Sequence, residues 1–125
     1  MRVFVLEDDP MRLAWFWSHF QGTELTCCTD AADAVRAFRD GRWDVVSLDH
    51  DLGGQTFVDS ADKNTGAEFL RQCGAEVAAC PVVAVHSYNQ AGAARMIALL
   101  QDYGKSIEWT PFRSASHLEA LMGVK

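Results

Sequence analysis

Residues 1–10, MRVFVLEDDP, decide the fold. Val3 to Leu6 is a short apolar, β-branched and aromatic run that stops at three consecutive acids, Glu7, Asp8 and Asp9, followed by Pro10. An apolar run without polar alternation is the pattern of a strand buried on both faces, and the acids behind it mark a charged loop at its carboxyl end. Asp9 can cap a helix that takes Pro10 as its first residue, and Leu13, Phe16, Trp17 and Phe20 recur at helical spacing until Gly22. Strand therefore leads directly to helix.

The pattern repeats along the chain. Leu25 to Cys28 reads as a strand, Thr29 or Asp30 as a cap, and Ala31, Ala34, Val35 and Phe38 as an apolar stripe ending at Gly41. A third strand, Val45 to Leu48, runs into Asp49-His50-Asp51 and Leu52-Gly53-Gly54. The polar segment Gln55 to Asn64 has no periodicity, and a helix starts at Thr65-Gly66. Pro81 opens a fourth strand, Val82 to Val85, which ends at His86-Ser87 ahead of a helix over Ala91 to Leu100. A last strand, Ser106 to Trp109, meets Thr110-Pro111, and Ser114 or Ser116 caps a final helix through Met122. Strict alternation predicts an α/β fold: a single doubly wound, parallel, five-stranded sheet with helices on both faces, as one domain over residues 1–125. Ligands of such sheets bind outside the carboxyl ends of the strands, where these acids fall.

Composition narrows the function. The chain has 125 residues, 49% of them hydrophobic and 22% charged, which is ordinary globular usage. A formal charge of −6, with 11 scattered basic residues, argues against binding to a nucleic-acid backbone. The apolar run at the start is too short for a signal peptide and no stretch is long enough to span a bilayer, so a cytoplasmic location is expected. Cys27, Cys28, Cys73 and Cys80 lack CxxC spacing and are expected as buried small hydrophobes rather than zinc ligands.

Glu7, Asp8 and Asp49 are the sharpest constellation, because carboxylates from two strand ends can converge on one hard cation. Mg²⁺ (or Mn²⁺) is the natural candidate, since it takes one or two carboxylates with phosphate oxygens and water. Solvent-exposed loop acids are the plainer alternative. Gly53 and Gly54 permit a tight turn with amides near an anion, and the Ser87 hydroxyl can donate to a phosphate oxygen. His86 and His50 are candidate proton carriers because imidazole titrates near neutrality. Alternation turns His50 away from Asp49 and Asp51, so packing under the sheet or against the inserted loop is its competing role. Trp15 and Trp17, two apart, cannot share the centre of one helix face.

The segments VFVLEDDP, WDVVSLDHDLGG, PVVAVHSYN and TPF resemble receiver domains of response regulators over essentially the whole chain. That resemblance implies that Glu7, Asp8 and Asp49 bind Mg²⁺ and that Asp49 accepts phosphate. Three departures stand out. The family's Lys before the Pro that follows the fifth strand is Thr110 here, its switch aromatic is Ile107, and the loop after Asp49 is longer. LDHDLG and HS resemble a divergent receiver group proposed to process cyclic phosphates, which implies metal-dependent phosphate chemistry with Asp49, His86 and His50 catalytic. The alternatives are a single-domain response regulator phosphorylated on Asp49 and a non-catalytic interaction module. The partner expected is a phosphate-containing small molecule or a phosphodonor, and a homodimer stays open.

Overall fold

The computed structural model describes residues 1–112 and Leu121. Its elements are β1 (Arg2–Leu6), α1 (Pro10–His19), β2 (Glu24–Cys28), α2 (Ala31–Arg39), β3 (Val45–Leu48), α3 (Gly66–Ala78), β4 (Val82–Val85) and α4 (Gln90–Asp102). The strands pair in parallel in the order β2-β1-β3-β4.

The sheet has four strands among the described residues, not the five expected. Ser106 to Trp109 is reduced to one parallel bridge between Trp109 and Val85. Beyond it Thr110 N donates to Val85 O at 3.1 Å and Phe112 N to His86 O at 3.0 Å. Pro111 between them has no N–H to extend a ladder, and residues 105–108 bring only Ile107 to bury. The final helix expected through Met122 lies outside the described residues apart from Leu121.

Each helix starts at the carboxyl edge of the sheet with a side-chain cap. Asp9 accepts from Arg12 N, Asp30 from Asp33 N, Thr65 from Glu68 N and Asn89 from Gly92 N. Each such cap contributes about 1 kcal/mol and leaves the positive end of a helix dipole at this edge.

Alternation along the strands builds two cores. Val3, Val5, Val45 and Ala84 face Phe16, Phe20 and Leu121, whereas Phe4, Leu6, Val46, Leu48, Val83 and Val85 face α2, α3 and α4. Phe4 anchors the second core, with ring centroids 5.1 Å from Phe38 and Trp43 and 5.7 Å from Phe69. Trp17 does not join the stripe read from the sequence; it is 54% exposed. With Phe16 and Phe20 stacked on one face, the residue after Phe16 is turned about 100° away from the core. Trp15 instead packs edge-on against Phe16 and Phe112. The four cysteines are free; Cys28, Cys73 and Cys80 are buried and Cys27 half-buried. No described helix is long and apolar enough to cross a membrane.

Candidate functional site

Strand register brings the site together. Leu6 pairs with Leu48, and Leu48 with Val85, so the next residues, Glu7, Asp49 and His86, stand side by side. Asp49 N donates to Leu6 O and His86 N to Leu48 O, both at 2.9 Å. Because Leu6, Leu48 and Val85 point toward α2–α4, period two sends the following three side chains to the α1 side. The place is also the topological switch point, since the chain winds from β1 outward to β2 and then crosses to β3 on the other side.

The three side chains offer ligand atoms within 4.8 Å of one another, and all are buried. His86 bridges Glu7 Oε1 at 2.8 Å through Nε2 and Ser47 Oγ at 2.6 Å through Nδ1. Glu7 Oε2 accepts from Asp8 N and Asp9 N, each at 3.0 Å. Asp49 Oδ1 accepts from His50 N at 2.8 Å. Arg12, on the first turn of α1, donates from Nη1 to Glu7 Oε1 at 3.3 Å and stands 3.8 Å from Asp49 Oδ2.

Burial governs the titration of this cluster. It pushes the Asp49 carboxyl up to about 7, with the neighbouring Glu7 charge adding to the effect and His86 and Arg12 opposing it. Burial also raises Glu7, against the Asp9 amide and the Arg12 charge. His86 is held down to about 4 by burial, with Asp49 pulling the other way. All three shifts favour the neutral form, as desolvation requires, and in the metal-free cluster Asp49 keeps a proton up to about neutrality while the His86 imidazole does not.

Above these groups opens a cavity of about 310 Å³ whose wall includes Asp8, Asp49, Asp51, Ser87 and Arg12. Asp8 Oδ2 accepts from Gly54 N at 2.6 Å. Gly53 and Gly54 both have φ of +72°, which only glycine adopts without strain, and the turn they form delivers that amide to a carboxylate. Ser87 Oγ accepts from Asn89 N at 3.0 Å. Neither imidazole is on the cavity wall. His86 lies beneath it, and His50 points to the α4 side, bonded to Asp51 Oδ1 at 2.8 Å and Ser60 Oγ at 2.9 Å. A Cβ on Gly92 would stand 2.5 Å from His50 Cγ, so α4 closes tightly over the ring.

Asp51 organises the long loop. It accepts from Phe57 N, Val58 N and Asn89 Nδ2 as well as from His50. Burial pushes its carboxyl up, but the bonds from Asn89, His50 and the two amides outweigh this and hold it below the usual range.

Sequence reading missed Arg12, Ser47 and Asn89. Arg12 was legible in principle, because a cap at Asp9 places it three residues on, over the end of β1. Thr110 brings no cation, and Arg12 is the basic side chain lining the cavity among the described residues.

Solved structures share this architecture at low identity. The chain superposes on the signal receiver domain of a Luxo repressor protein from Vibrio parahaemolyticus with TM-score 0.59 and 15% identity, covering 97% of this chain and 92% of that one. The Mn²⁺-bound form of response regulator Rcp1 gives TM-score 0.59 and 16% identity over 98% and 90%. The receiver domain of sensor histidine kinase PA1611 from Pseudomonas aeruginosa PAO1, with magnesium in its active-site cleft, gives 0.56 and 19% over 98% and 97%. The fold is therefore the flavodoxin-like fold of receiver domains. Residues 2–102 match the model of the cyclic-phosphate processing receiver domain, and the chain belongs to that family. No curated protein matches it in sequence.

Proposed function

We propose that this protein hydrolyses a cyclic phosphodiester with the aid of a divalent cation. The observation that carries the reading is the convergence of Glu7, Asp49 and His86 within 4.8 Å, with Asp49 reaching the wall of an open cavity that Arg12 also lines. The donor set fits a hard cation, since carboxylate oxygens suit Mg²⁺ and Mn²⁺ alike. Glu7, Asp8 and Asp49 would hold it, and when bound it would neutralise phosphate charge and lower the pKa of water. Two of the structural neighbours carry Mn²⁺ or magnesium, which supports the same reading.

In ring opening, a water oxygen bonds to phosphorus and one ring oxygen leaves as an alcohol. The water gives up one proton and the departing oxygen takes another. The first passes to solvent through the cavity mouth, and the second comes from solvent by the same route. Arg12 presents the planar fork that matches two phosphate oxygens, and Ser87 and the Gly53-Gly54 turn border the same space. His86 acts through Glu7, and His50 holds the Asp51 loop, so both are positioning residues.

Phosphorus NMR with 2′,3′- and 3′,5′-cyclic nucleotides in Mg²⁺ or Mn²⁺ tests this. A phosphomonoester should appear with the parent and not with Asp49→Asn. Absence of turnover across the panel refutes the hydrolytic reading. Phosphorylation of Asp49 is the second reading, favoured by its place on the cavity wall. A long-lived mass increase after acetyl phosphate, absent in Asp49→Asn, would support it instead.

A further inference from the structure

Two aromatic rings at the cavity play no part in the chemistry above. Phe57 and Tyr88 both line it, yet they are 78% and 52% exposed. Phe57 is also the only non-glycine residue with positive φ among the described residues, at +54°. A bulky side chain there carries backbone strain, and an exposed ring returns no packing energy to offset it. The conformation is enforced by Asp51, which holds Phe57 N at 2.6 Å and Val58 N at 3.2 Å and is itself tied to His50 and Asn89. Tyr88 is fixed from two sides: its hydroxyl donates to Phe112 O, and the Arg12 guanidinium lies 5.2 Å over its ring.

We infer that these rings form a nucleobase subsite, so that the phosphate compound this cavity takes is a mononucleotide. This rests on the reading of the cavity floor as a phosphate and metal site. A flat heteroaromatic ring suits a place where ring faces adjoin polar groups, here Gln55, Thr56 and the Ser87 and Asn89 segment. An acyl chain is excluded by Asp8, Asp49 and Asp51 on the same wall, because it would desolvate carboxylates without pairing them. A volume of about 310 Å³ lies at the small end of ligand cavities, enough for one nucleotide and too little for a strand. Strain at Phe57 then has a use: it holds the ring out for stacking before the ligand arrives.

Calorimetry on the Mn²⁺-loaded protein, with AMP against ribose 5-phosphate, tests this without requiring turnover. AMP should bind roughly ten- to a hundredfold tighter, the range expected of one stacked base. Phe57→Ala should bring AMP toward the ribose 5-phosphate value and leave ribose 5-phosphate unchanged, Tyr88→Leu should narrow the same preference, and Phe57→Trp should keep it. Phe57→Gly separates binding from structure, because it relieves the positive φ: thermal stability should rise while AMP affinity falls. Equal affinity of the parent for the two compounds, or full AMP affinity in Phe57→Gly, overturns the base subsite and leaves the phosphate site standing. Failure of both compounds to bind overturns the phosphate site and the base subsite with it.

Discussion

Replacing Asp49 by Asn should stabilise the metal-free protein at alkaline pH while abolishing its metal binding. Asp49 titrates at about 7 in the folded chain against an ordinary 3.8, and it is 3% exposed. The gap of roughly three pH units, at about 1.4 kcal/mol each, makes the folded carboxylate cost on the order of 4 kcal/mol at pH 8. The sign follows from proton counting. Between the two pKa values the folded state holds a proton that the unfolded state has lost, so parent stability falls as pH rises and levels off above about 7. The amide that replaces the carboxyl does not titrate, and its oxygen can keep the bond from His50 N. The advantage of the variant should therefore grow by about 3 kcal/mol between pH 5 and pH 8. For a chain of this size that corresponds to roughly 10 °C in Tm. Urea unfolding of both proteins in EDTA at the two pH values measures it. Saturating Mg²⁺ should reverse the ranking, since only the parent gains binding energy. An Asp49→Asn variant less stable than the parent at pH 8, or a difference independent of pH, refutes the argument that burial sets this carboxyl.

Affinity for Mn²⁺ should rise by about tenfold per pH unit below about 7 and flatten above, because Asp49 must lose its proton to bind. Titration in two buffers of different ionisation enthalpy should show about one proton released, and a flat profile counts against Asp49 as ligand. Gly92→Ala should cost about 1–3 kcal/mol in urea unfolding, because the new methyl would meet the His50 ring at 2.5 Å; an unchanged midpoint would mean that α4 is not closed over His50. Arg12→Gln should weaken inorganic phosphate binding to the Mn²⁺-loaded protein roughly ten- to a hundredfold, as expected for a charge-assisted bond, with Arg12→Lys intermediate. Unchanged phosphate affinity in Arg12→Gln would remove Arg12 from the anion site.

Much of the fold was legible because its signals are local. The apolar runs at Val3, Val45 and Val82, the caps at Asp9 and Asp30, and the stripe from Ala31 to Phe38 all lie within a few residues of what they determine. Trp17 misled because Leu13, Phe16, Trp17 and Phe20 fit a wide helical stripe, and only the width of the sheet beneath α1 decides how much of that stripe is covered. The fifth strand misled because Ser106 to Trp109 has a strand's composition, whereas ladder formation depends on what the edge of β4 offers.

The sequence by itself determined the order of the four strands and four helices described, the acids at two strand ends and the opposite facing of His50 and Asp49, since each follows from periodicity along one segment; it turned His50 from Asp51 as well, yet the two bond at 2.8 Å because the strand ends at Leu48. Only the tertiary structure decided that Glu7, Asp49 and His86 share one face, that Arg12 lines the cavity, and that Asp51 pins the Phe57 loop. Those facts depend on register between strands far apart in the chain and on the burial that register creates. Burial, not residue type, places the Asp49 carboxyl near neutrality.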